Sequence, residues 1–104
     1  MKETIFNYLK GQLGDDDPNL LETLYTEYRT TVFERIRDIQ NALEAKDFKR
    51  LHAVSHTLKG DALMVGDHDM NQCALQFELS AKSDDEAGCR SHLATIMECA
   101  KRLP

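Results

Sequence analysis

Four residues near the middle of the chain could do chemistry together: His52, His56, Lys59 and Gly60. They belong to a segment whose apolar positions Leu51, Val54, Leu58, Ala62 and Val65 recur at helical spacing. At about 100° per residue, His56 lies roughly 160° from the centre of that stripe, on the outer face. Gly60 follows one turn later on the same side, flanked by Lys59 and Leu63, and His52 precedes by one turn. A neutral imidazole is a competent nucleophile near pH 7. A phosphoryl group placed on it would gain from a nearby lysine ammonium. A lone surface histidine or lysine on a helix is ordinarily inert. The glycine is harder to explain that way: inside a helix it costs about 1 kcal/mol relative to alanine. It also leaves bare backbone beside the imidazole, open to close approach. Phosphoryl transfer rests mainly on positioning and charge neutralisation. A partner can therefore bring the metal ion and the acceptor carboxylate.

The elements that must hold this face read as helices throughout. Prolines occur only at Pro18 and Pro104, and apart from Thr30-Thr31-Val32 the β-branched runs of strands are missing. A short first helix around Lys2 to Leu9 is expected to bury Ile5, Phe6 and Leu9, and to end at Gly11/Gly14. Asp15-Asp16-Asp17-Pro18 is a start signal, with Asp17 as cap and Pro18 at the first helical position. From there Leu21, Leu24, Tyr28, Val32, Ile36 (or Phe33), Ile39 and Leu43 form one stripe, running to about Ala45. Asp47 can cap the third helix and Gly66 can stop it. A fourth helix from near Asp69 carries Met70, Cys73, Ala74, Phe77 and Ala81. Ser83, followed by Asp84, Asp85 and Glu86, reads as the start of a fifth with Leu93, Ile96, Met97, Ala100 and Leu103 inside. Short connections favour antiparallel neighbours. The expected fold is all-α, an antiparallel up-and-down four-helix bundle with a short additional N-terminal helix, in a single domain over residues 1–104.

The run Ser55-His56-Thr57-Leu58-Lys59-Gly60 strongly resembles the signature of histidine phosphotransfer (HPt) domains. The likeness extends over most of the chain: Asp17-Pro18, Asp47-Phe48, Gly66 and Phe77-Glu78 fall in matching places. It implies a monomeric carrier that shuttles phosphoryl groups among receiver-domain aspartates, linking hybrid sensor histidine kinases to response regulators. It implies no kinase activity of its own and no cofactor on this chain, with Mg²⁺ expected on the receiver. By the resemblance, His56 is the phosphoacceptor at Nε2 and Lys59 steadies the phosphate. Gly60 lets the receiver reach the ring, and Glu78 bonds the other ring nitrogen and orients it. Asp61 departs from the family, which usually has Ser or Ala there; two outcomes stand open, pairing with a base on a neighbouring helix or a like charge that weakens or retunes phosphate binding at His56, and it is the one residue that leans toward a scaffold without phosphate.

Partner docking is assigned to Lys49, His52, Leu63, Met64 and Asp67. Lys46, Lys49, Arg50 and Lys59 stand against the single acid Asp47 in residues 46–60, on a chain of net charge −5. That local excess of positive charge suits steering toward acidic receivers. The overall acidity argues against a nucleic-acid binder, and no apolar run is long enough for a membrane span. With no secretory signal at its start, the chain is read as cytoplasmic. Opening at Met1 and closing just after its last helix, it reads as free-standing; an excised domain with an added Met would look the same.

Two rival readings remain. The four-residue spacing of His52 and His56 suits two zinc ligands, but Ala53 stands where a zinc protease has glutamate, and no third ligand is evident. The other rival is an HPt-fold interaction module that binds a receiver or kinase without carrying phosphate. Nucleotide chemistry lacks its Gly-rich phosphate loop. The cysteines Cys73, Cys89 and Cys99 fit neither a disulfide framework nor a zinc pattern and are expected to be reduced thiols.

Overall fold

The computed structural model describes residues 2–14 and 17–103. Asp15 and Asp16 of the expected start signal, like both terminal residues, lie outside the described residues. Five helices follow one another: α1 (Lys2–Leu13), α2 (Pro18–Glu44), α3 (Phe48–Met64), α4 (His68–Lys82) and α5 (Glu86–Lys101). No strand occurs among the described residues.

The helices form a closed ring of neighbours. Helix α2 packs on α3, α3 on α4, α4 on α5 and α5 back on α2, while α1 lies against α2. This is a four-helix bundle with an added N-terminal helix. Helix α2, at 27 residues, is about 40 Å long and accounts for most of the 43 Å long axis of the molecule. Its buried stripe runs through Leu21, Tyr25, Tyr28, Val32, Ile36 and Ile39. Tyr25 takes the inward place expected of Leu24, which is only half-buried. The reason lies in α1: the Phe6 ring meets Tyr25 edge-on, and Lys2 Nζ sits 5.1 Å above the Tyr25 ring.

Helix α1 is longer than expected. It continues through Gly11 to Leu13 and stops at Gly14, whose φ of +65° and N–H bond to Lys10 O end it. A single mid-helix glycine is a small penalty, outweighed here by Ile5 and Leu9 packing into the core.

The three connections of the bundle share one design. In each, a residue with left-handed φ precedes an aspartate, whose N–H reaches back to a carbonyl five residues earlier. The left-handed residues are Lys46, Gly66 and Asp84, and the bonds are Asp47 N to Ala42 O, Asp67 N to Ala62 O and Asp85 N to Ser80 O, each 2.9 Å. This closure satisfies the last carbonyls of one helix. The same aspartate side chain then caps the next, accepting from Arg50 N, Met70 N or Gly88 N respectively. Ser83 is therefore the end of α4 and not the start of α5; Asp85 is the cap.

Candidate functional site

Helices α3 and α4 make the most extensive contact in the bundle. Four small side chains of these two helices, Ser55 and Ala62 on α3 and Ala74 and Ala81 on α4, are essentially fully buried. Ser55 fills the inward position expected of Val54, which is half-buried. Its hydroxyl donates to Leu51 O at 2.8 Å, so no polar atom is stranded there. Small residues let helix backbones approach closely. That approach brings Glu78 of α4 up to the outer face of α3.

Glu78 is 8% exposed, yet its carboxylate meets two side chains of the surface. Oε2 lies 2.8 Å from His56 Nδ1, and Oε1 accepts from Lys59 Nζ at 3.0 Å. Burial alone would raise the Glu78 carboxyl. The hydrogen bonds from Lys59 and then His56 outweigh it and hold the group below the ordinary carboxylate range. The carboxylate is thus ionised at neutral pH and can only accept, so the proton of a neutral His56 ring sits on Nδ1. Nε2 keeps its lone pair, on a side chain that is 67% exposed.

Gly60 is the bare step beside this cluster. A Cβ built there would meet nothing within 4 Å outside its own helix. Packing within the fold therefore does not require glycine at this position. Asn71 of α4 adds a clamp, its Nδ2 donating to Lys59 O at 3.0 Å. No periodicity pointed to Asn71, because one polar residue on a helix flank carries no pattern.

The residues assigned to docking separate. Lys49 and His52 lie together at one end of the α3–α4 face, in a hollow shared with Phe48, Lys82 and Asp84. Leu63 and Met64 at the other end are 58% and 77% exposed. Met64 also lines a groove with Leu13, Leu24 and Asp61. Asp67 does not belong to this surface. It is 3% exposed, caps α4 and accepts from the Tyr28 hydroxyl at 2.7 Å. Burial, and then the adjacent Asp67 carboxylate, push the Tyr28 hydroxyl far above its ordinary range, so it stays a donor. Leu79, next to Glu78, is 50% exposed and was not singled out from the sequence. The signal was available: it stands off the apolar stripe of α4, as Leu63 does on α3.

Asp61 pairs with a base on a neighbouring helix, Arg35 of α2, with Nε 3.0 Å from Oδ2. The rings of His52 and His56 stack, with centroids 6.4 Å apart. Among the described residues, no cluster of three or more His, Cys, Asp or Glu side chains could hold a metal ion, and no helix is long and apolar enough to cross a membrane.

Comparison with known proteins adds a family. Multistep phosphorelay regulator 1 of Schizosaccharomyces pombe (strain 972 / ATCC 24843) is 33% identical over 63 residues, covering 61% of this chain and only 21% of that protein. No solved structure matches significantly. The Hpt domain profile matches residues 23–103, from the first turns of α2 to just past the end of α5, and the chain accordingly belongs to the Hpt domain family.

Proposed function

We propose that the chain is a phosphoryl carrier in a two-component phosphorelay, accepting the group on His56 Nε2 and exchanging it with aspartates of receiver domains. The observation that carries this reading is the double grip of Glu78 on His56 and Lys59. In the transfer, the Nε2 lone pair attacks phosphorus and the bond to the receiver's aspartyl oxygen breaks. That carboxylate leaves with the electron pair. No proton needs to move, because Nδ1 keeps its own and the phosphorylated ring becomes cationic. Glu78 stabilises that cation. Lys59, held beside the ring by Oε1, is within a side-chain rotation of the new phosphate and can neutralise it. The barrier is symmetric in kind, so the group can pass in either direction.

The receiver contributes its own Mg²⁺ and acceptor carboxylate, and this chain needs no nucleotide site and no kinase activity. Its partners are receiver domains of response regulators and hybrid sensor histidine kinases. Gly60 admits the receiver, Leu63 and Leu79 offer apolar contact, and Lys49 with His52 supplies positive charge at the edge. The competing reading, a scaffold without phosphate chemistry, drew on Asp61 alone. Arg35 offsets that charge, which favours the carrier.

The deciding experiment incubates the chain with Mg²⁺, acetyl phosphate and a panel of receiver domains, followed by intact mass. One acid-labile phosphate is expected, dependent on a suitable receiver and absent in His56→Gln. Equal labelling of His56→Gln, or no transfer from any receiver of a broad panel, overturns the proposal.

A further inference from the structure

Two of the three cysteines are neighbours in space. Cys73 in the second turn of α4 and Cys99 in the last turn of α5 place their sulfurs 3.0 Å apart, both as free thiols. Cys99 is buried, and the guanidinium of Arg102 lies 3.4 Å from its sulfur. Cys73 is only half-buried, so one member of the pair can be reached from solvent. Cys89, fully buried, stands ten residues before Cys99 on α5.

We propose that Cys73 and Cys99 are a reversible dithiol–disulfide site that fastens α4 to α5, oxidised by exchange with a small-molecule disulfide of the glutathione type. A disulfide bond is about 2.05 Å long. The sulfurs therefore need to close by about 1 Å.

The exchange proceeds in two displacements. The Cys73 thiolate attacks one sulfur of the small disulfide, whose S–S bond breaks and releases one thiolate. The Cys99 sulfur, giving up its proton, then attacks Cys73 Sγ in the mixed disulfide and expels the second thiolate. The protein loses two electrons and two protons, and the small disulfide is reduced to two thiols. Arg102 favours the thiolate at this place, while Asp69 opposes it. Burial first, then the hydrogen bond with Cys99, push the Cys73 thiol up to about 12. The reaction is consequently slow at neutral pH and accelerates as pH rises. Once formed, the bond joins residues 26 apart and restricts the unfolded chain. It is made on the side of α4 that faces α5, whereas Glu78 on the same helix faces α3, so the cluster around His56 is left as it is.

The test equilibrates the full chain at pH 8.5 in a mixture of reduced and oxidised glutathione, then traps remaining thiols with N-ethylmaleimide under denaturing conditions. The expected product carries a single adduct, on Cys89, and yields a peptide joining Cys73 to Cys99. Its thermal midpoint should rise by about 10 °C and return on adding dithiothreitol. Three adducts, a lasting glutathione adduct, a link through Cys89 or a lowered midpoint would each overturn the proposal. Cys73→Ser must abolish the link. Should that variant fold poorly, the peptide map of the unsubstituted chain still decides.

Discussion

Two regions of this molecule each combine a glycine with a buried carboxylate, and they use the combination in opposite ways. At the α3–α4 turn, Gly66 has φ +71°, and Tyr8 of α1 packs directly against its Cα. Its neighbour Asp67 binds Met70 N and the Tyr28 hydroxyl. Every contact there joins parts of the fold. One turn and a half earlier, Gly60 has open space beside it, and Glu78 spends its hydrogen bonds on two side chains of the surface. The first region holds helices together. The second holds the His56 ring and the Lys59 ammonium side by side at the surface, at some cost to the helix that carries them. Burial of a carboxylate therefore does not tell its purpose; the exposure of its partners does.

Substitutions can break this contrast, beginning with the largest change in stability. Gly66→Ala should destabilise by about 2–4 kcal/mol, from left-handed strain and the clash with Tyr8, read by urea denaturation. Lys46 and Asp84 tolerate the same backbone region at the other two connections, so Gly66→Asn with Tyr8→Ala should recover part of the loss. Asp67→Ala should cost about 1–3 kcal/mol, because it removes a helix cap and strands the Tyr28 hydroxyl. Phosphotransfer measured on the remaining folded protein should be nearly unchanged.

Gly60→Ala should behave in the reverse way. Thermal melting should show a gain of about 0.5–1 kcal/mol, while the rate of transfer from a receiver falls. A gain in stability without loss of transfer would sink the idea that this position serves a partner. Glu78→Gln is expected to have the smallest effect on stability at neutral pH and to slow transfer about fivefold, since a hydrogen bond to a charged group is worth about 1 kcal/mol more than a neutral one. The acid side separates the two further. The native Glu78 carboxyl is held below its ordinary value of 4.5, so its contribution is complete above that value and fades as pH falls through the lower native one. Unfolding of Glu78→Gln measured below pH 4.5 should lose stability less steeply than the unsubstituted chain.

Much of this was legible in the residues. The stripe of α2 and the caps Asp17 and Asp47 follow local rules of spacing and hydrogen bonding, and those rules act within a few residues. The Ser55–Gly60 run pointed to the family, and the apolar stripe of α3 put His56 on the outer face. What failed were places where two local signals compete. Ser83 and Asp85 are both good caps, and only closure of the preceding helix through Asp85 N decided between them. Gly11 and Gly14 were both expected at the end of α1, and of the two it is Gly14 that ends it, with φ +65° and its N–H bonded to Lys10 O. Asp67 looked like a surface acid until the Tyr28 hydroxyl, 39 residues away, was placed against it.

Periodicity and capping by themselves determined that the chain is helical, roughly where each helix lies and which face of α3 turns outward, because these depend on near neighbours in sequence. Only the tertiary structure decided that one carboxylate of α4 grips both His56 and Lys59, that Arg35 answers Asp61, and that Cys73 meets Cys99. Each of those contacts depends on the distance and rotation between packed helices. Side-chain volumes at the interfaces set these, and no repeat along the chain records them.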